Sequence, residues 1–160
     1  MRRLLALAAA AGLLALAAGC AAIDLDRRPR DVTDKAEAQR LIAAMVDETL
    51  DAVAPGAPRS PGVHDGTSGA CTDASGAEDG TFIYTTARQV AGLSPETVAA
   101  AEQRVTRLWR DKNLIVSRYP GPPGVLDLQA AQRGVEYLVR ISLPGRRVTA
   151  SGNTPCVRPD

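Results

Sequence analysis

Cys20 is the residue whose neighbours point most directly to a chemical modification, because the segment before it has the three parts of a secretory signal peptide. A positive start at Met1-Arg2-Arg3 is followed by an unbroken run of Leu, Ala and Gly from Leu4 to Ala18. Only small residues, Ala17-Ala18-Gly19, stand directly before the cysteine. Since the run is too short to span a bilayer comfortably as a permanent helix, residues 1–19 are predicted to be a cleaved leader.

A cleavage site that ends in cysteine resembles the signal of bacterial lipoproteins, here as Leu16-Ala17-Ala18-Gly19-Cys20. The resemblance implies that diacylglycerol is attached to Cys20 through a thioether, that the chain is cut before it, and that the new amino group is acylated too, as with palmitate. Two or more acyl chains anchor stably, so the mature protein would be held at the extracytoplasmic face of the cell membrane. The alternative is a plain secretory signal cut after Ala18 or Gly19, which leaves a free cysteine.

Two further cysteines, Cys71 and Cys156, remain beyond the lipidation site. Outside the cytoplasm an even pair most simply forms a disulfide, which here would close a loop of about 85 residues and stabilise the fold by roughly 4 to 5 kcal/mol. A reactive thiol and a metal-binding pair are the alternatives. A metal would need further ligands, and the chain has one histidine. The prediction is a disulfide, with no metal and no cofactor.

His64 could serve as a catalytic base, since Asp65 follows it and Ser60, Ser68 and Ser75 are near in sequence. A hydrolase triad needs the nucleophile, the base and the acid in hydrogen-bond geometry, and adjacent residues in a Gly-rich segment do not provide it. No Gly-x-Ser-x-Gly motif is present either. The chain is therefore predicted not to be an enzyme, with His64 a solvated loop residue and a hydrolase the least favoured alternative.

The same segment is acidic, which allows a Ca²⁺ site formed by oxygen ligands. The candidate ligands are Asp65, Asp73, Ser75, Glu78 and Asp79. Their order does not follow that of an EF-hand loop, because the glycine falls at the fourth place and no glutamate follows at the twelfth. Turn formation is the favoured interpretation.

Basic residues of the second predicted helix and of a later hairpin could bind phospholipid headgroups or anionic wall polymers. They are Arg104, Arg107, Arg110, Lys112, Arg146 and Arg147. Glu102 and Asp111 are interleaved with them, which favours an ordinary solvated helix face. Of the 19 Lys and Arg residues two lie in the leader, and all 18 Asp and Glu residues follow it, so residues 21–160 carry a net formal charge of −1. This charge gives no argument for nucleic acid as a partner.

The elements that position these residues follow from the hydrophobic pattern. Asp34 and Glu37 have the spacing of a capping box, and an apolar stripe from Ala38 to Val53 predicts a helix that Pro55-Gly56 ends. Residues 20–33 lack apolar periodicity and are predicted to be the lipidated N-terminus and a tether. The remainder, residues 34–160, has the length of a single domain.

A long stretch rich in Pro, Gly, Ser and Asp, from Pro55 to Gly80, is predicted to be a functional or loosely ordered loop. A disulfide at Cys71 would fasten it to the C-terminal end. Thr81–Val90 has strand composition. A second helix then begins with Ser94-Pro95 and ends near Lys112-Asn113, with Trp109 on its apolar stripe and therefore in the core.

Four more strands are predicted at 114–119, 125–130, 135–143 and 147–151. The third alternates, with Leu143 as the last residue of the apolar set and Glu136, Arg140 and Ser142 on a solvated face. Pro144-Gly145 predicts a type II turn. The predicted fold is an α+β two-layer domain, with two helices packed on one face of an antiparallel sheet.

The order of these elements, the two cysteines and the ending Gly152-Asn153-Thr154-Pro155-Cys156 resemble the LppA-like lipoproteins of actinobacteria. The likeness runs from about Asp34 onward. Abundant Ala, Gly and Pro, with Arg far more frequent than Lys, agree with the GC-rich codons of such bacteria. The family has no established biochemical activity, so the resemblance implies a location and a fold.

Three functions remain open at this point. The leading hypothesis is a non-catalytic, membrane-anchored domain that binds an unknown envelope protein or polymer through the solvated sheet face or the 55–80 loop. A carrier of a small ligand or lipid, with a pocket between the helices and the sheet, is the alternative. A hydrolase that uses His64 comes last.

Overall fold

The computed structural model describes residues 34–159 and shows two helices packed against a seven-stranded antiparallel sheet. The helices are α1 (Lys35–Val53) and α2 (Pro95–Asp111). The strands are β1 (Ser60–Pro61), β2 (Ser68–Thr72), β3 (Glu78–Ala91), β4 (Ser117–Pro120), β5 (Val125–Gln132), β6 (Val135–Ser142) and β7 (Arg147–Asn153). The strand order is β1-β3-β7-β6-β5-β4, with β2 also paired to β3. The predicted α+β class is confirmed.

The predicted leader, the lipidation site Cys20 and the tether lie outside the described residues. Within residues 34–159, no helix is long and apolar enough to cross a membrane.

Both helices begin as their capping residues predict. The Asp34 side chain accepts a hydrogen bond from the Glu37 amide at 2.7 Å, and the Ser94 hydroxyl accepts one from the Thr97 amide at 3.1 Å. Trp109 is buried in the core as predicted, and its indole nitrogen donates to the Thr49 hydroxyl at 3.0 Å. This bond satisfies the one polar group that the Trp109 side chain takes into the interior.

Helix α1 approaches the sheet closely at Gly152 in β7. A Cβ atom at this position would lie 2.7 Å from the Ile42 Cγ2 atom and 3.1 Å from the Glu136 carbonyl oxygen. Because interiors are packed to near-crystalline density, the missing side chain of Gly152 lets α1 lie directly on the sheet.

The predicted loosely ordered loop from Pro55 to Gly80 contains strands, so that prediction is wrong for most of its second half. Strand β3 is 14 residues long, and β7 pairs only with its residues from Thr85 onward. The first half of β3 is therefore free to pair with β2, with Ser68 opposite Tyr84. Composition does not reveal this ladder, because the backbone hydrogen bonds that order β2 come from another segment.

The predicted type II turn at Pro144-Gly145 is also wrong, and so is the assignment of Leu143 to the packed face. A type II turn requires positive φ at Gly145, whereas the residue with positive φ here is Arg146, at 44°. Two hydrogen bonds to the Leu93 backbone hold Arg146 in this conformation. The Arg146 carbonyl oxygen accepts from the Leu93 amide at 3.0 Å, and the Arg146 guanidinium donates to the Leu93 carbonyl oxygen at 2.7 Å. Leu143 lies in the turn, half-exposed.

Candidate functional site

His64 lies in an exposed turn between β1 and β2, with φ of 71°. Its carbonyl oxygen accepts a hydrogen bond from the Thr67 hydroxyl at 2.7 Å. The neighbouring carboxylate, Asp65, accepts from the Ala87 amide at 2.9 Å and pairs with the Arg88 guanidinium. Asp65 therefore fastens the turn to β3, and the geometry does not use it to orient an imidazole as a triad requires.

The acidic residues of the β2–β3 hairpin shape turns. One oxygen of Asp73 accepts hydrogen bonds from the Ser75 amide, the Ser75 hydroxyl and the Ala77 amide, at 2.8, 2.6 and 3.1 Å. The Ser75 hydroxyl contributes most to holding the pKa of Asp73 below its ordinary value. Asp79 accepts from Thr81 in the same way. Within residues 34–159, no three His, Cys, Asp or Glu side chains are grouped so as to hold a metal ion.

The six basic residues predicted as a possible patch differ in their contacts. Three of them are engaged with other elements: Arg104 donates to the Val53 carbonyl oxygen, Lys112 pairs with Glu48, and Arg146 donates to the Leu93 carbonyl oxygen. Arg107 and Arg110 lie together along α2, beside Glu102 and Asp111. The helix face is thus mixed in charge, as its sequence indicates.

A disulfide joins Cys71 of β2 to Cys156 near the end of the described chain, with 6.1 Å between the two Cα atoms. This separation lies within the range that disulfides span without backbone movement. Beside it, Phe82 and Val157 exchange two backbone hydrogen bonds, at 2.8 and 3.0 Å. The C-terminal segment is therefore fastened to the β2–β3 hairpin both covalently and by backbone pairing.

The Gly-x-Thr-x-Cys ending, which carries much of the resemblance in sequence, has a structural role at each of its three positions. Because Gly152 has no side chain, the Ile42 side chain of α1 can pack against it. The buried Thr154 exchanges hydrogen bonds with Tyr84, since its amide donates to the Tyr84 carbonyl oxygen and its hydroxyl accepts from the Tyr84 amide, both at 2.9 Å. Cys156 forms the disulfide. These three positions therefore dock the C-terminal segment onto the rest of the fold.

The solvated face of the sheet carries a hollow of about 520 Å³ that extends over β4 to β7, which we call the outer-face cleft. Its polar side chains are Asn113, Ser117, Gln129, Glu136, Ser151 and Asn153. Its main apolar side chains are Ile115 and Leu138. The volume lies within the range of ligand sites in proteins.

The strand register brings these side chains together. Gln129 of β5 lies opposite Ser117 of β4 on one side and opposite Leu138 of β6 on the other. Leu138 in turn lies opposite Ser151 of β7. Since directly opposite residues of an antiparallel sheet point to the same side, these four side chains form a continuous row across the face.

The cleft offers polar groups around an apolar centre. Ile115 is 87% exposed and stands at its rim, while Leu138 is half-buried in its floor. The side-chain oxygen of Asn153 already accepts from the Thr85 hydroxyl at 2.9 Å, so the Asn153 amide group is left as a donor. Such a surface can bind a ligand by hydrogen bonds and apolar contact, and it shows no nucleophile paired with a base.

The sequence indicated the solvated face through Glu136 and the alternation of β6, but it did not single out Ser117, Gln129, Ser151 or Asn153. The alternation of β5 and β7 would have predicted that Gln129, Ser151 and Asn153 lie on the solvated face. Ile115 could not have been placed, because its position depends on how the chain leaves α2 and enters β4.

The space between the helices and the sheet is largely filled by the hydrophobic core. A slot of about 240 Å³ lies at its margin, between α2 and the neighbouring sheet edge, and is lined by Val98, Leu126, Ile141 and Leu143 among others. This volume is below the range usual for ligand pockets. The slot at the helix–sheet interface therefore has less room for a ligand than the outer-face cleft has.

Comparisons with known proteins identify two structures that are similar to this one. The sequence matches no protein-family model and no curated protein. The structure is similar to that of a DUF4853 family protein from Actinomyces odontolyticus ATCC 17982, with a TM-score of 0.54 and 8% identity over 82% of this chain and 71% of that one. It also matches LppA from Mycobacterium tuberculosis, with a TM-score of 0.46 and 16% identity over 76% of each chain.

These likenesses concern the fold alone, since both identities are low. The first shows that a natural protein shares this arrangement of helices and sheet. The second match is to LppA, after which the family that the sequence resembles is named. Its TM-score is too low to support an argument.

Proposed function

We propose that this protein is a lipid-anchored, extracytoplasmic, non-catalytic domain that binds a component of the bacterial cell envelope through the outer-face cleft. The observation that carries the proposal is the cleft itself: a hollow of about 520 Å³, built by four paired strands and lined by polar groups around Leu138 and Ile115. Concave surfaces with a few placed polar groups are the usual form of a binding site.

The proposed location rests on two features. The leader that ends at Cys20 has the form of a lipoprotein signal, and an acylated Cys20 would hold the domain at the membrane. The Cys71–Cys156 disulfide supports an oxidising compartment, since disulfides are rare in the reducing cytoplasm.

The non-catalytic character is supported by the contacts of the carboxylates that were candidates for catalysis or for Ca²⁺ binding. Asp65 is engaged with β3, and Asp73 and Asp79 close turns. The cleft holds one carboxylate, Glu136, among hydroxyl, amide and aliphatic side chains. A single carboxylate does not provide the paired acid and base that hydrolysis of a glycan would require.

The substitution Leu138→Arg tests whether the cleft is the binding site. We expect Leu138→Arg to weaken binding of the protein to isolated cell envelopes by at least about tenfold, which corresponds to about 1.4 kcal/mol, because a long charged side chain would fill the floor of the hollow. Binding is measured by sedimentation of labelled protein with envelopes from cells that lack it. A thermal melt checks that the variant is folded.

Leu143→Arg is the matched control, since Leu143 is a half-exposed leucine in the turn after β6 and does not line the cleft. It should bind as the wild type does. If Leu143→Arg weakens binding and Leu138→Arg does not, the slot beside α2 is the binding site and the proposal is wrong.

A further inference from the structure

We infer that the outer-face cleft takes an uncharged, hydroxyl-rich ligand, that is, a neutral stretch of glycan. This inference rests on the proposed binding function and adds the chemical class of the ligand. It follows from three properties of the cleft: its charge, its hydrogen-bonding groups and its position on the sheet.

The charge of the cleft disfavours anionic and strongly cationic ligands alike. Glu136 is the one charged side chain among the residues that line it, and none of those residues is Lys or Arg. Arg140, which shares β6 with Glu136, is held by Asp127 through two hydrogen bonds of 2.8 and 2.7 Å. A phosphate, sulfate or carboxylate would therefore meet Glu136 with no Lys or Arg among the lining residues to offset the repulsion. A multiply charged cationic ligand would find one carboxylate and no second anion.

The hydrogen-bonding groups match hydroxyls. Ser117 and Ser151 carry hydroxyl groups, and Gln129 carries an amide, so each of these side chains both donates and accepts. Sugar hydroxyls also do both. Leu138 and Ile115 present aliphatic carbon, which can contact the C–H face of a sugar ring while the polar side chains around them bind its hydroxyls.

The position of the cleft favours a glycan over a peptide. Extended peptides are commonly bound at a free strand edge, where their backbone adds to the ladder. The cleft instead lies over the faces of β4, β5, β6 and β7, whose adjoining edges are already paired with one another. The outer edge of β4, the last strand of the described sheet, is the exception. Over the four strand faces, recognition comes from side chains, which suits a ligand that displays hydroxyls on a ring.

The test uses the full-length mature lipoprotein, purified in a detergent without a sugar headgroup. Neutral hexasaccharides of glucose, galactose, mannose and arabinose are each examined by saturation-transfer NMR and then by titration calorimetry. A hexasaccharide of galacturonic acid is the anionic comparison. We expect at least one neutral sugar to bind and the anionic one to bind at least about tenfold more weakly.

Two variants separate the cleft from the rest of the surface. Gln129→Ala should weaken binding of the neutral sugar by about five- to tenfold, the effect of losing one or two net hydrogen bonds. Gln103→Ala, which removes an exposed glutamine from α2, should leave binding unchanged. Equal affinities of the two variants would overturn the inference.

Failure of this inference can be told apart from failure of the proposed function. If no neutral sugar binds, or if the anionic sugar binds more tightly, a neutral glycan is not the ligand. Loss of envelope binding in Leu138→Arg with retention in Leu143→Arg would still support the cleft as the binding site.

Discussion

Replacement of Cys20 by serine should move the protein from the membrane to the soluble fraction almost completely. In the proposed modification a diacylglycerol would be joined to the Cys20 sulfur through a thioether, and a serine hydroxyl cannot form that bond. Among the described residues, 34–159, no helix is long and apolar enough to cross a membrane. Each buried methylene contributes about 0.8 kcal/mol to anchoring, so loss of the chains removes essentially all of the attachment. Membrane fractionation of cells that express Cys20→Ser, followed by immunoblotting, measures the effect.

Cys71→Ser provides the matched control, because it replaces a disulfide-bonded cysteine of the folded domain and leaves Cys20 in place. This variant should remain with the membranes. If Cys20→Ser also stays with them after a high-salt wash, the acyl anchor does not hold the protein, and the proposed location loses its basis.

Removal of the disulfide should have the largest effect on stability. For a separation of 85 residues, the chain-entropy model gives a loss of about 4 to 5 kcal/mol in the free energy of unfolding for the Cys71→Ser/Cys156→Ser double variant. The β2–β3 hairpin and the C-terminal segment should loosen first, because the disulfide joins these two parts, while α1, α2 and β5 to β7 keep their packing. Urea denaturation gives the free energy, and hydrogen exchange shows which segments open.

Mass spectrometry of the unreduced, proteolysed wild-type protein supplies the direct check of the pairing. We expect one linked peptide that contains Cys71 and Cys156. Two thiols that react freely with an alkylating reagent in the native protein would contradict it. A double variant as stable as the wild type would show that hydrogen bonds such as those between Phe82 and Val157 already suffice to dock the C-terminus.

The helices and the last three strands could be predicted from the sequence because their signals are local. Asp34 and Ser94 are side chains that cap the helix they precede, and the period of the apolar residues reports which face is buried. The alternation along β6 works in the same way, from Val135 to Ile141. Two helices with one apolar face each and a sheet with one apolar face can form a single core in few ways. The α+β class could therefore be predicted.

The errors lie where distant segments decide the conformation. Ser68–Thr72 has the composition of a loop, yet it is a strand because the first half of β3 is free to pair with it. Arg146 has positive φ where Gly145 was expected to, because Leu93 holds its backbone. The contacts of Arg104 and Arg146 were missed for the same reason, since these side chains donate to the carbonyl oxygens of Val53 and Leu93 in distant parts of the chain.

The candidate site was indicated in part. The solvated sheet face followed from alternation, but a cleft requires the relative register of four strands. Ser117, Gln129, Leu138 and Ser151 come from four different strands and become neighbours only through the pairings of β4 with β5, β5 with β6, and β6 with β7. No local pattern contains that information.

In-cell photo-crosslinking from position 115 tests the central claim most directly. Ile115 is 87% exposed at the rim of the cleft, so a photoreactive amino acid can replace it without disturbing the core. Val63, which is 71% exposed in the β1–β2 turn and does not line the cleft, is the control position. We predict a discrete high-mass adduct with the cell envelope from position 115 and none from position 63. An adduct from position 63 alone, or none from either position, would contradict binding through the outer-face cleft.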